Sequence, residues 1–375
     1  MSRARPRGRV VVAGLGDTGV LVARRLRAAG LDVVGVSAVP GLVSGQELGL
    51  RLARPETWQR HYRLAHGRFR GLDGVRLRHA GLAGLDLTTR EVVLDPHDGG
   101  GPRERFDLLV VATGVRNGFW RDPTPRSLAE VDDALAAAHR RLREATSVVV
   151  VGGGAAAVSS AAQIATALPH LRVDLYHPGE RGLPQHHPRV WDDVRTRLER
   201  AGVGVHPGHR AMLPDDAALG RLGPATVAWS TGQAAVAADV VLWTVGRVRP
   251  NTGWLPADLL DDAGFVRVSP TLAVPGVDGV FAIGDVAATD PLRSSARNRA
   301  DGLLARNVVA HLQGRPGRAY EPPGRRWGSV LGPMPDGLVV YGPGGRGFRF
   351  PAWTVDVPLQ DWIVKGGIYG GVRRG

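Results

Sequence analysis

Apolar positions in this chain come in short runs, and glycine ends the most telling of them. Residues 147–151 hold four consecutive valines, and Gly152, Gly153 and Gly154 follow, then small residues from Ala155 onwards. β-Branched apolar side chains without polar alternation suit a strand buried on both faces, and the glycines predict a tight turn into a helix. A strand at residues 171–176 then closes a βαβ unit of the usual length, about 30 residues. The same pattern opens the chain: an apolar strand at 9–13, a helix over 20–29 stopped by Gly30, and a strand at 31–36. Further buried strands are predicted at 106–114, 239–245 and 280–285, with helices at 127–143, 190–200 and 297–312. Such alternation predicts an α/β protein with two Rossmann-like units.

One rival needs excluding. Residues 145–171 contain no Asp, Glu, Lys or Arg and outrun the ~20 residues that span a bilayer. Three adjacent glycines, Ser159, Ser160, Gln163 and Pro169 interrupt both helix and hydrophobicity, so a membrane helix is rejected.

The turns carry the chemistry. Gly14, Gly16 and Gly19 fit G-x-G-x-x-G, and Gly152, Gly154 and Ala157 fit the variant with a small third residue. The first position makes the turn, the second lets backbone approach a pyrophosphate, and the third lets helix pack on strand. The helix N-terminus adds free N–H groups and a positive dipole end. An acid normally ends the second strand and binds the ribose hydroxyls. Ser37 stands there in the first unit and His177 in the second. Ser37 still offers a hydroxyl, a weaker partner than a carboxylate. Beyond His177, Arg181 suits the 2′-phosphate of NADPH while Glu180 argues the other way, and the reading leans to NADPH over NADH.

Composition narrows the class. The 375 residues are 43% hydrophobic and 22% charged, enough for two or three domains with large cores. With no cysteine, a disulfide framework, a zinc-thiolate site and a redox dithiol are excluded. The formal charge of +13 comes almost wholly from scattered arginines, Lys365 being the sole lysine, so nucleic-acid binding is set aside. His186 and His187 are adjacent and badly placed to share a metal, and no metal site is expected. Arg3, Arg5, Arg7 and Arg9 run straight into a strand and residue 2 is Ser, so neither a signal peptide nor a myristoylation pattern is read, and a cytoplasmic protein is expected.

Five features now stand in a fixed order: Gly14/Gly16/Gly19, Ala112-Thr113-Gly114, Gly152/Gly154/Ala157, Gly246 with Pro250-Asn251, and Gly284-Asp285. That order resembles the FAD- and NAD(P)-dependent pyridine nucleotide oxidoreductase superfamily. Within it the chain is most similar to the group of type II NAD(P)H:quinone oxidoreductases, apoptosis-inducing factors and ferroptosis suppressors. The resemblance implies an FAD domain from residues 1–118 and 270–320, an NAD(P)H domain inserted at 119–269, and a C-terminal segment at 321–375. It implies FAD contacts at Gly14, Gly16, Gly19, Ser37, Thr113, Gly114, Gly284 and Asp285. For NAD(P)H it implies Gly152, Gly154, Ala157, His177, Arg181 and Gly246. The family's usual Glu two residues after the third glycine position of the second unit is Ser159 here.

The expected chemistry is hydride transfer from NAD(P)H to flavin and on to a quinone-like acceptor without a redox disulfide. A ferredoxin-type reductase and a non-catalytic dinucleotide sensor are the alternatives. Trp353, Trp362, Tyr369, Lys365, Arg373 and Arg374 make the C-terminus aromatic and basic, beyond a Pro/Gly-rich linker at 322–343. Lys365, Trp362 and Tyr369 are the candidates for an acceptor site, with peripheral membrane contact, plain packing and a dimer contact all left open. Any membrane contact is expected to be limited because the pattern is short and proline-broken. Oligomeric state, monomer or homodimer, is not legible.

Overall fold

The structure, a computed structural model, describes residues 8–95, 102–116, 124–245, 248–289, 300–322 and 327–374. In chain order the elements used below begin with β1 (Arg9–Ala13), α1 (Asp17–Ala28), β2 (Asp32–Ser37), α2 (Leu48–Ala53), α3 (Pro55–Tyr62), β3 (Arg76–His79), β4 (Leu108–Val111) and α4 (Leu128–Glu144). Next come β5 (Ser147–Val151), α5 (Ala155–Ala167), β6 (Arg172–Tyr176), α6 (Pro188–Arg200), β7 (Gly204–His206), β8 (Gly223–Val227) and β9 (Val236–Trp243). The chain finishes with β10 (Val280–Ala282), α7 (Ala300–Leu312), β11 (Gly328–Ser329), β12 (Leu338–Tyr341), β13 (Gly347–Phe350) and a π-helix, α8 (Val355–Ile368).

Two five-stranded sheets organise these elements. The first runs β10-β4-β1-β2-β3, parallel throughout. The second runs β7-β6-β5-β9-β8, parallel except for β8. The valine runs are central in both. Val10 and Val12 pack on the face covered by α1 and α7, while Val11 packs on the other. Val148 and Val150 face α5 and α6, and Val149 and Val151 face Tyr176 and Trp229. Strands buried on both faces cannot alternate apolar with polar, which is why these read as unbroken runs. Each glycine turn therefore sits at the C-terminal edge of a central strand, where open α/β sheets bind their ligands.

The sheets are joined twice, and the joins pair with each other: Val115 opposes Pro250 and Arg116 opposes Arg249 in a short antiparallel ladder. Residues 251–268, expected with the second unit, bury Trp254, Leu255, Leu259 and Val266 against the first sheet. The units also meet through their helices. Gly49 on α2 lies so close to α5 that a Cβ there would fall 2.3 Å from the Ser159 carbonyl oxygen.

The C-terminal segment corrects two expectations. Residues 322–343 are not simply a linker: β11, β12 and β13 form a sheet, and Val330, Leu331 and Tyr341 join the core of the second unit. Gln163 on α5, fully buried, donates to the carbonyls of Leu331 (2.9 Å) and Pro333 (2.8 Å), and Arg54 donates to Gln163 Oε1 (2.7 Å) and to the Pro333 carbonyl (2.8 Å). Nor does proline break the last helix, because Pro358 lies in the first turn of α8, where a missing N–H costs least. From there the chain docks on the first unit. Buried Gln360 donates to Tyr62 Oη (2.7 Å), and Tyr369 meets Phe69 edge-on with ring centroids 5.2 Å apart.

Candidate functional site

Gly14 ends β1 with φ +100°, and its N–H donates to the Val36 carbonyl at 2.9 Å. A Cβ there would sit 2.5 Å from the Ala112 carbonyl oxygen, and one on Gly19 would sit 1.8 Å from the Gly14 carbonyl oxygen. Those two positions exclude any larger residue for packing reasons. At Gly16, by contrast, a Cβ would meet nothing within 4 Å, so the turn is open on that side. It opens into a cavity of about 510 Å³.

The walls of the cavity come from distant parts of the chain. Ser37, Ala38, Asp95 and Arg126 line one region of it, and Thr113, Gly114, Asn251, Gly284 and Asp285 also line it. Gly14, Gly16, Asp17 and Thr18 contribute the turn. Asp17 anchors the loop before α2 by accepting from Ser44 Oγ (2.7 Å) and the Gly45 N–H (3.0 Å). Thr113 Oγ1 donates to the Asn251 carbonyl at 2.8 Å, while Asn251 returns its Nδ2 to the Thr113 carbonyl at 2.9 Å. The crossing between units is thereby locked to the cavity wall.

Arg126 escaped the sequence reading because it sits in a polar stretch before α4 with no motif around it. Its backbone N–H donates to the Ala38 carbonyl (2.9 Å) and its own carbonyl accepts from His79 Nε2 (3.1 Å), fixing it beside the end of β2. A cation thus lines the cavity together with Ser37, the residue that replaces the usual acid.

The second turn repeats the first. The Gly152 N–H donates to the Tyr176 carbonyl at 2.9 Å, Gly154 is open, and Ala157 in the first turn of α5 is fully buried. His177 lies beside this turn, its Cβ 3.3 Å from where a Cβ on Gly153 would fall. Its ring is 1% exposed and meets Trp191 edge-on at 5.2 Å, and burial holds its pKa below the ordinary histidine value, leaving it neutral. Glu180 and Arg181 are both exposed beyond it. Gly246 lies outside the described residues.

The three acceptor candidates are not brought to the cavity wall. Lys365 Nζ donates to Asp361 at 2.9 Å, Trp362 is 68% exposed, and Tyr369 is buried against Phe69. Among the described residues no cluster suited to a metal ion occurs.

Two sheets, one parallel and the other parallel but for one edge strand, each with a glycine turn opening a helix, define an oxidoreductase-type dinucleotide-binding fold. Residues 8–314 match the family model described as pyridine nucleotide-disulphide oxidoreductase, and the chain belongs to that family. It is 28% identical over 294 residues to oxidoreductase ptaL of Pestalotiopsis fici, covering 75% of this chain and 73% of that protein. It is 29% identical over 164 residues to the type II NADH:quinone oxidoreductase Ndh of Mycobacterium tuberculosis, covering 40% of this chain and 33% of that one. Among solved structures, the ferredoxin reductase for the CYP199A2 system from Rhodopseudomonas palustris superposes with TM-score 0.64 at 22% identity, covering 85% of this chain and 78% of the other. The fold is thus that of FAD- and NAD(P)H-binding oxidoreductases, in a chain that has no cysteine for a redox disulfide.

Proposed function

We propose that this protein is an FAD-dependent oxidoreductase that takes hydride from NAD(P)H and reduces a quinone-like small molecule. The observation that carries the reading is the cavity lined by Ser37, the first glycine turn and Asp285, beside which α2 packs on the helix of the second turn. FAD bound there, with NADPH or NADH at the second turn, supplies the hydride chemistry. Gly14, Gly16 and Gly19 let the backbone close on a pyrophosphate at the start of α1. Ser37 and Arg126 hold the adenosine end. Thr113, Gly114 and Gly284 shape the other end, and the Asp285 carboxylate accepts hydrogen bonds from the ribityl hydroxyls.

At the second site, Gly152, Gly154 and Ala157 receive the other pyrophosphate. No carboxylate ends β6, because His177 stands there and is buried, and the exposed Arg181 beyond it suits a 2′-phosphate. That combination favours NADPH. We assign the FAD unit to residues 1–118 and 270–320 together with the packed stretch 251–268, the NAD(P)H unit to the residues between 119 and that stretch, and residues 321–375 to a C-terminal substrate or interface segment.

The absence of cysteine means that the acceptor is reduced without a dithiol relay. The exposed apolar side chains on and before α8, Trp353, Val357, Trp362 and Ile363, together with Trp327 and Phe348, support peripheral contact with a membrane, where quinones reside. Among the described residues no helix is long and apolar enough to cross one. The deciding experiment is the visible spectrum of purified protein before and after anaerobic addition of NADPH or NADH. A flavin band that bleaches faster with NADPH, and returns on adding a soluble quinone, is the expected result. A colourless protein that takes up no FAD overturns the reading.

A further inference from the structure

His66 lies outside every motif, yet it touches the first glycine turn from below. Its ring is 3% exposed, and Nε2 is 3.0 Å from the Leu15 carbonyl oxygen. Burial pushes its pKa down to about 4, so at neutral pH the ring is uncharged, and pairing with a carbonyl requires the tautomer that donates from Nε2.

The consequence lies on the other side of one peptide plane. In a trans peptide the C=O of one residue and the N–H of the next point in opposite directions. Directing the Leu15 carbonyl down to His66 therefore directs the Gly16 N–H up, into the cavity that Leu15 and Gly16 both line. The Leu15 side chain is itself held in the core, 1% exposed and packed against Gly35.

His66 is in turn held from two sides. Its N–H donates to the Pro40 carbonyl at 3.1 Å, and the Phe69 N–H donates to the His66 carbonyl at 3.1 Å. The chain's last residues brace the same segment: Phe69 bridges Val372, the Arg70 N–H donates to the Gly371 carbonyl (2.9 Å), and the Arg373 N–H donates to the Arg68 carbonyl (2.8 Å).

We infer that His66 is a positioning residue of the first dinucleotide site: by holding the Leu15 carbonyl, it aims the Gly16 N–H at the pyrophosphate of the bound cofactor. This rests on the assignment of that cavity to FAD. The test is titration of the apoprotein with FAD, read by flavin fluorescence, for wild type, His66→Leu and His66→Gln, with circular dichroism and thermal melts as a check on folding.

Leucine fills the space without a donor, and glutamine keeps an N–H donor. The expected result is a dissociation constant raised about tenfold, equivalent to about 1.4 kcal/mol, in His66→Leu and largely recovered in His66→Gln. Should the leucine variant melt before titration, His66→Ala with and without added imidazole reads the same contrast, recovery by imidazole being expected. Wild-type affinity in His66→Leu, equal weakness in the leucine and glutamine variants, or no recovery by imidazole overturns the inference. Failure of the wild-type protein to bind FAD would instead overturn the assignment of the cavity.

Discussion

Gly49→Ala adds one methyl group at the contact between the two nucleotide units. That carbon would lie 2.3 Å from the Ser159 carbonyl oxygen, 2.5 Å from its carbonyl carbon and 2.8 Å from the Ser160 nitrogen. All three are backbone atoms of α5, so no rotamer change relieves the clash. Restoring an ordinary contact of 3.4 Å requires α2 and α5 to part by about 1 Å, because a close-packed interface has no slack. Overpacking costs roughly 1–3 kcal/mol, and the better helix propensity of alanine returns about 1 kcal/mol. The net loss of stability, about 1 kcal/mol, leaves the protein folded.

The effect on chemistry is larger than the effect on stability. α2 follows directly from the cavity loop at Gly45 and Gln46, and α5 begins at the second turn, so parting the helices parts the two sites. A misplacement of about 1 Å between reacting groups costs on the order of 100-fold in rate. The assay is anaerobic stopped-flow bleaching of FAD-loaded protein at saturating NADPH. Gly49→Ala is expected to slow the bleaching by about that factor while FAD affinity stays at the wild-type value. A bleaching rate equal to wild type, in a variant whose melting is only slightly lowered, would refute the claim that this contact sets the distance between the sites.

Two further predictions concern stability. The Asp239 carboxylate accepts from the N–H and hydroxyl groups of Thr146 (2.8 and 2.6 Å) and Ser147 (3.0 and 3.1 Å), which pull its pKa from 3.8 to about 2. A depressed folded-state value stabilises fully above the unfolded value and loses that stabilisation as pH falls through the folded one, here from about 4 to about 2. Melting curves of Asp239→Asn should accordingly lie below wild type at neutral pH and converge with it near pH 2; a constant gap down to that pH would contradict the assignment. Gln163→Leu removes the Gln163 donor from the buried Leu331 carbonyl and one acceptor from the Arg54 guanidinium, while the Pro333 carbonyl keeps Arg54, at a cost of about 2 kcal/mol. Denaturant unfolding measures that loss, and limited proteolysis should cut residues 327–350 sooner; unchanged cleavage would show that the segment is held by its apolar contacts alone.

The two glycine turns and the strands that carry them were legible in the sequence because they are local. A valine run long enough to be buried on both faces, then glycines at fixed spacing, permits few backbone courses, and no distant residue need be known. The inward packing of His177 was not local. It depends on Trp191, which reaches it from α6, and a histidine at that position carries no sign of which way its ring turns. Arg126 reaches the cavity only because residues at 38 and 79 fasten its backbone beside β2.

His66 is 51 residues from the carbonyl it holds, and periodicity is silent over such a span. The C-terminal stretch was misread for a related reason. Prolines and glycines mark loops when neighbours are absent, but here Gln163 and Arg54 supply the hydrogen bonds that the backbone of residues 331–333 requires. Local pattern therefore determined which elements form and which chemistry their turns serve. Tertiary packing decided which side chains face the cavity, how close the two turns stand, and what the last residues of the chain brace.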